Sequence, residues 1–294
     1  MNRQTELRLK SLLPSPVTRA LRMADNYRLR LLIWRSIAAS MRGVGKKDRR
    51  ALRRSIRRAP WTSLRNLYQW MDPVLLGDAQ VEVAGVGKFN LRGGSDDLYI
   101  VLPSREREVV ALLRERLRPG DTFVDAGANI GFFSILASHL VGPTGKVIAI
   151  EMMPNVATIL RSHVALNECS NVEVVETAVS DRSGDEVDAW VVEGRSGVTS
   201  IVTPLVPDAR RIPVRTTTLA DVLASERRVA VMKLDLEKAE LLALHGAGSA
   251  LDKIETIVFE QLLGEGDAAK FLESSGFKVR SIGGPSFVAE RGAR

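Results

Sequence analysis

This chain has little cysteine, little histidine and few aromatic residues. Among 294 residues there is one cysteine, Cys169, so an internal disulfide framework and a multi-cysteine metal site are both excluded. Cys169 falls in a turn between a helix and a strand, where an ordinary small residue is expected. Aromatic residues make up 5% of the chain, too few for a platform that stacks bases. No uninterrupted apolar run is long enough to span a bilayer. The opening MNRQTELRLKSLLPSP lacks the apolar core of a secretory leader, so a cytoplasmic protein is expected, with peripheral attachment at a membrane as the second option. No internal repeat is visible. What is present is 45% apolar residues, enough for a sizeable core, over a length that suits one large domain plus an extension.

Acidic charge is missing from one end. Residues 1–60 hold 17 Lys and Arg against Glu6, Asp25 and Asp48, a net of +14. The whole chain is only +7, so residues 61–294 carry the compensating −7. Within the basic segment Tyr27, Leu31, Trp34, Ala38 and Met41 recur at helical spacing, with Arg28, Arg35 and Arg42 on the opposite face. Gly43 to Gly45 should end this helix, and Lys46 to Arg58 is denser still in cations. Three readings stand side by side. The stripe packs on the rest of the protein as a helical cap, or the segment attaches to an anionic membrane surface, or it binds a nucleic-acid backbone. The scarcity of aromatics argues against the last. Pro60 to Gly77 reads as a hinge, which divides the chain into a basic helical extension, 1–78, and a larger domain, 79–294.

The most informative stretch is Phe123 to Ser134, FVDAGANIGFFS. A strand, a Gly-rich turn and a helix in direct succession put backbone N–H groups and a helix N-terminus at the carboxyl edge of a sheet, where nucleotide-like ligands bind. The spacing separates ligands. A dinucleotide site needs G-x-G-x-x-G, whereas this turn has Asn129 at the middle position between Gly127 and Gly131. An acid two residues before the first Gly, then three residues to the next Gly, is the S-adenosylmethionine pattern. Asp125 would draw the ligand's ammonium. A second strand, KVIAIE, ends at Glu151, at the distance expected of a ribose-binding carboxylate. A third, Val172 to Ala178, runs into Ser180 and Asp181, a candidate adenine contact. A fourth, Val229 to Leu234, ends in Asp235-Leu236-Glu237. The plainer reading of Asp235 and Glu237 is capping of a helix from Ala239 to Ala247.

In this order FVDAGANIGFFS, KVIAIEMMPN, LNECSNVEVVETAVSDRSG, VMKLDLEKAELLALHGA and ETIVFE resemble the FkbM family of S-adenosylmethionine-dependent methyltransferases, over about Val81 to Val288. The resemblance implies that Asp125, Gly127, Asn129, Gly131 and Glu151 hold the cofactor, with Asp181 near the adenine. It implies that Lys233, Asp235, Glu237 and Glu240 line the reaction side. It also implies a hydroxyl acceptor on a sugar, a glycolipid or a secondary metabolite. Two positions depart from the family. Lys238 stands where a Gly usually follows the first Glu, and Met152-Met153-Pro154-Asn155 stands for Pro-Asn-Pro. Two other functions remain open. One is a cofactor- or partner-binding protein without turnover, suggested by Lys238; the other is an RNA-directed methyltransferase using the basic segment.

The remaining elements complete an α/β reading: a Rossmann-like class I methyltransferase fold, mostly parallel, with a terminal antiparallel hairpin and a basic N-terminal helical extension. Val81 to Leu102 suggests a hairpin turning at Gly93-Gly94, and Arg105 to Leu117 a helix. Strands are expected at Glu186 to Val192 and Ile212 to Thr217, joined by a loop, Gly194 to Arg211, that could cover an acceptor. After the fourth strand come the helix from Ala239, a strand Ile254 to Glu260, a helix Ala268 to Ser275, and a hairpin Phe277 to Ala289 turning at Pro285. Asp235 and Glu237 are the first candidates for a general base, with Glu260 behind them. His139, His163 and His245 fall within helices away from the sheet edge. No metal-ligand set is apparent.

Overall fold

The computed structural model describes residues 15–292 apart from 66, 68–70, 193–194, 205–206, 208 and 262–266, and only the backbone at 15–17 and 195–198. The opening segment 1–14 and parts of the expected hinge and covering loop therefore lie outside the described residues. The basic segment forms α1 (Ser15–Ser40), a short strand β1 (Met41–Gly43) and α2 (Lys46–Thr62). A hairpin follows, β2 (Ala79–Val83) and β3 (Gly87–Leu91), then α3 (Asp97–Ile100) and α4 (Arg107–Arg116). The main sheet begins with β4 (Thr122–Ala126), α5 (Phe132–Val141), β5 (Lys146–Ile150), α6 (Pro154–Leu166) and β6 (Val172–Val175). Next come β7 (Ala178–Val179), β8 (Glu186–Val192), β9 (Arg195–Ser200), β10 (Arg210–Thr217) and α7 (Leu219–Val222). The chain finishes with β11 (Val229–Leu234), α8 (Glu240–His245), a 3-10 turn (Gly248–Lys253), β12 (Ile254–Glu260), α9 (Asp267–Ser274), β13 (Phe277–Gly283) and β14 (Ser286–Arg291).

The main sheet has seven strands in the order β13-β14-β12-β11-β4-β5-β6. Neighbours from β12 to β6 are parallel, and β14 runs antiparallel to β12 and β13. β4 and β11 are mostly apolar because helices cover both faces of the sheet, and every residue of β11 is buried, Lys233 included. The chain leaves β4 toward β5 and β6, then returns to build β11 and β12 on the other side. The order therefore reverses between β4 and β11, and ligands of open α/β sheets bind at such a switch point. The parallel register pairs Asp125 with Lys233 and Leu234 with Phe259. Asp235 and Glu260, each one residue further on, consequently emerge side by side at the carboxyl edge.

Four expectations need correction. The hairpin turns at 84–86, where Gly85 adopts a φ of +69°, and not at Gly93-Gly94. Beyond β3, Arg92 grips Asp97 through two side-chain nitrogens at 2.7 and 2.9 Å, which bends the chain into α3. The third strand is split. Val172–Val175 belongs to the main sheet, while Ala178–Val179 pairs with β10 in a second sheet of order β7-β10-β8-β9. Part of the expected covering loop is strand β9, hydrogen-bonded to β8. The basic helix ends earlier than its apolar pattern suggests, because Met41 leaves it to pair with Val83.

The basic segment lies against the rest of the molecule. Trp34, Ile37 and Met41 are buried, whereas Ala38 is exposed, so the buried stripe follows the 34-37-41 spacing. In α2, Leu52, Ser55 and Ala59 form the buried face. β1 and β2 share one sheet across residue 78. Arg30 is buried and donates to the Ser63 and Arg65 carbonyls at 2.9 and 2.6 Å, clamping α1 to the end of α2.

Candidate active site

At the carboxyl edge, β4, β5, β7, β9 and β11 surround a cleft with about 840 Å³ of space not filled by protein, including the part open to solvent. Its cofactor-side wall contains Gly127, Ala128, Asn129 and Glu151, and its reaction-side wall contains Lys233, Asp235 and Glu237. The sequence therefore brings together six of the nine expected site residues on one surface. Asp125 and Gly131 sit directly behind it. Asp181 does not join them. It is exposed, accepts the Ser180 hydroxyl at 3.1 Å, and lies past β7, while Thr177, Ala178 and Val179 line the cleft in its place.

Two glycines shape the turn. Gly127 has a φ of +84°, and a Cβ there would lie 1.9 Å from the Asp235 carbonyl oxygen. Any side chain would push the Gly turn and the reaction-side turn apart. Gly131, at φ +93°, begins α5 where a Cβ would meet the Leu160 side chain at 2.4 Å. Asn129 is also left-handed (φ 50°), and its side-chain oxygen accepts the Ile130 N–H at 2.8 Å. Such local bonding makes Asn the natural non-glycine choice there.

These residues fit S-adenosylmethionine. Glu151 is buried, and its two oxygens accept the Met153 and Asn129 N–H groups, both at 2.9 Å. An ionised carboxylate has about four acceptor sites, so two remain for ribose hydroxyls. Burial pushes the Glu151 carboxyl up to about 7 against the pull of those N–H bonds. Asp125 is almost fully buried and takes the Ser134 hydroxyl at 2.6 Å on one oxygen, while its other oxygen has no hydrogen-bond partner. Burial raises its pKa to about 6, with Lys233 opposing. A buried acceptor with spare capacity behind a Gly turn is suited to a ligand ammonium.

The reaction side is crowded with charge. Lys233 is buried, with its ammonium 2.7 Å from Asp235, 3.7 Å from Glu106 and 4.8 Å from the centre of the Phe133 ring. Burial works to lower its pKa, but the surrounding carboxylates override this and raise it. Burial likewise works to raise Asp235, and Lys233 and Arg105 override it and hold that carboxyl below its ordinary value. Glu237 and Glu260 go the other way. Burial, then the charges of Asp235, Glu260 and Glu240, push Glu237 up to about 8. Burial, then Asp235 and Glu106, push Glu260 up to about 7. Glu240 holds the turn by accepting the Leu236 N–H at 2.8 Å.

Glu237 and Lys238 both have positive φ, 50° and 82°. Lys238 thus stands in a conformation that favours glycine, which gives the physical reason for the Gly usual at that position. Its side chain is exposed beside a second, smaller hollow shared with Asp235, Glu237, Glu260 and Gln261. The Glu237 carbonyl accepts the Ser200 hydroxyl at 2.6 Å, so β9 is tied to the reaction turn.

Sequence reasoning missed Glu106 and Arg105, which enter the cleft from the start of α4. No spacing links Ser104-Arg105-Glu106-Arg107 to β11, and in sequence it reads as a charged helix start. Carboxylate oxygens of Glu106, Asp235 and Glu260 lie within 4.8 Å of one another, a set that could take a divalent cation, although the Lys233 ammonium already stands among them. The histidines serve packing. The Nε2 of His163 accepts the Asn90 N–H at 3.0 Å, so its Nδ1 donates to the Ile130 carbonyl at 2.8 Å.

Fold and cleft together are those of a Rossmann-like methyltransferase domain with room for S-adenosylmethionine. The methyltransferase FkbM domain matches residues 125–280, more than half of the chain, and the protein belongs to the FkbM family. It is 30% identical over 206 residues to the 31-O-demethyl-FK506 methyltransferase FkbM of Streptomyces tacrolimicus, covering 58% of this chain and 78% of that one. It is 32% identical over 101 residues to an arsenite methyltransferase of Halobacterium salinarum, covering 33% of this chain. The chain spans 59%, 23% and 55% of the length of the first three curated relatives it matches. Among solved structures, methyltransferase FkbM from Methylobacillus flagellatus is 15% identical with a TM-score of 0.39, covering 66% of this chain and 54% of that one.

Proposed function

We propose that this protein methylates a hydroxyl of a small molecule such as a sugar or a secondary metabolite. Residues 79–294 would be the catalytic unit and 1–78 a helical cap on it. S-adenosylmethionine supplies a methyl group already activated on its sulfonium. The protein's tasks are to hold the acceptor in line and to take one proton. Glu151, Asp125 and the turn from Gly127 to Gly131 would bind the cofactor. The Lys233–Asp235 pair would fix the floor of the reaction side, because an Asp held ionised by two cations is a poor proton acceptor but a firm hydrogen-bond acceptor for the incoming hydroxyl. Glu237 or Glu260 would take the proton, since a base is most effective when its pKa lies near the working pH. The observation that carries this reading is the pair of carboxyls raised to about 8 and about 7 beside a buried Lys–Asp pair at the cofactor cleft.

The test is transfer of labelled methyl from S-adenosylmethionine to a panel of sugars and polyketide alcohols, alongside matched amines and thiols. The reading expects label on oxygen, and Glu237→Gln and Glu260→Gln should lose turnover while retaining cofactor affinity. Label on nitrogen, sulfur or carbon alone would overturn the hydroxyl assignment. Cofactor binding without transfer to any acceptor would favour a binding role.

A further inference from the structure

We infer that the outer face of α2 is a docking surface for an anionic lipid bilayer. At 3.6 residues per turn, Lys46, Arg50, Arg53, Arg54 and Arg57 share the side of the helix opposite Leu52, Ser55 and Ala59, which face the protein. All five are exposed. The one acid of the helix, Asp48, is turned inward, where its carboxylate accepts the Gly45 and Gln80 N–H groups at 2.8 and 3.2 Å. The outward face therefore holds no carboxylate of its own. Among the described residues none of these five cations is ion-paired, although ion pairs stud the rest of the molecule. The concentration of unpaired cations on one face is charge-complementary to a surface of anionic headgroups.

A second observation selects lipid over nucleic acid. Trp61 falls on the same face, one turn beyond Arg57, and is 73% exposed. Leu64, just past the helix, is 50% exposed. Cations followed by an exposed Trp and Leu make a surface that binds headgroups with one part and enters the headgroup–acyl boundary with the other. A phosphate backbone of RNA would use the cations, but it gives Leu64 nothing to bury in. No described helix is long and apolar enough to cross a membrane, so the contact would be peripheral.

The experiment is sedimentation of the full chain with vesicles of phosphatidylcholine alone or containing phosphatidylglycerol. Binding should require the anionic lipid and fall at least about tenfold between about 0.1 M and about 0.5 M salt. An Arg50→Gln/Arg53→Gln/Arg57→Gln variant should lose about tenfold or more. Trp61→Ser should lose about threefold and shed the blue shift of Trp fluorescence that insertion produces. Unchanged circular dichroism and S-adenosylmethionine affinity in both variants would show that the fold is intact. Equal binding to neutral and anionic vesicles, binding to neither, or unchanged binding of the triple variant would each overturn the inference. So would tighter binding to single-stranded RNA than to anionic vesicles at the same salt.

Discussion

The two walls of the cleft are built on opposite principles. On the β4–β5 side, backbone does the shaping: Gly127 lets the turn rest on the Asp235 carbonyl, Gly131 lets α5 begin against Leu160, and Glu151 is held in place by two N–H groups. On the β11–β12 side, side-chain charges crowd together, with Asp235, Glu237, Glu260 and Glu106 set against Lys233 and Arg105. The first wall suits a ligand whose shape is fixed. The second holds carboxyls at pKa values that would be costly in a purely structural site, and such strain is characteristic of catalytic groups.

The sharpest way to break this contrast is Gly127→Val. The side chain would collide with the Asp235 carbonyl, and we expect loss of at least about 3 kcal/mol of stability and of detectable cofactor binding. Thermal unfolding and calorimetric titration would check it. Retained affinity would mean that the two walls do not abut.

Next in size is Glu237→Gln, which should lower turnover about 10²–10³-fold with S-adenosylmethionine affinity changed less than about twofold. The same variant separates function from stability. A carboxyl raised to about 8 in the fold lies above its unfolded value, so its contribution to stability is largest at acid pH and declines as pH rises through about 8. Removing the charge should therefore stabilise the ligand-free protein by about 1–2 kcal/mol near pH 8 and by little near pH 5. Denaturant melts at the two pH values would measure the difference.

A smaller effect belongs to the cofactor wall. In the proposed binding mode, ribose hydroxyls would donate to the ionised form of Glu151, whose carboxyl is raised to about 7. Protonation below that value should weaken S-adenosylmethionine binding, by about three- to tenfold between pH 8 and pH 6. Calorimetry across this range tests it, and Glu151→Gln should flatten the profile.

The smallest change is Lys238→Gly. A left-handed φ of 82° is strained for Lys and free for Gly, so the variant should gain about 0.5–1 kcal/mol in thermal unfolding, with cofactor affinity unchanged. A loss of stability would mean that the Lys238 side chain earns its place at the cleft mouth.

How much of this was visible in the sequence follows from the same contrast. The cofactor wall comes from one contiguous stretch plus the end of the next strand, so glycine spacing and the acid at 151 pointed to it directly. The order of strands β4, β5, β11 and β12 was equally legible, because buried parallel strands read as short apolar runs. The reaction wall was half legible. Lys233, Asp235 and Glu237 follow a recognisable strand, but Arg105 and Glu106 arrive from α4, more than a hundred residues away in the chain, and only the register of β4 against β11 brings them near. Asp181 was assigned to the cleft because a continuous third strand would carry it there. The break after Val175 sends the chain into the second sheet and turns that residue to solvent. The end of α1 was misjudged for a similar reason, since helical periodicity cannot register that Met41 has a strand partner 42 residues later.

One contact has a thermodynamic meaning of its own. The absent Cβ of Gly127 leaves the cofactor turn resting directly on the carbonyl of Asp235, and the Asp235 N–H is bonded to the Ala126 carbonyl at 3.0 Å. The end of β4, beside the proposed cofactor turn, and the end of β11, beside the proposed proton acceptors, are thus one seam, with no soft side chain between them to absorb displacement. Whatever the cofactor does to that seam on arrival, the acceptor must feel. Reciprocity then requires each ligand to alter the other's affinity by the same factor, whichever of the two binds first.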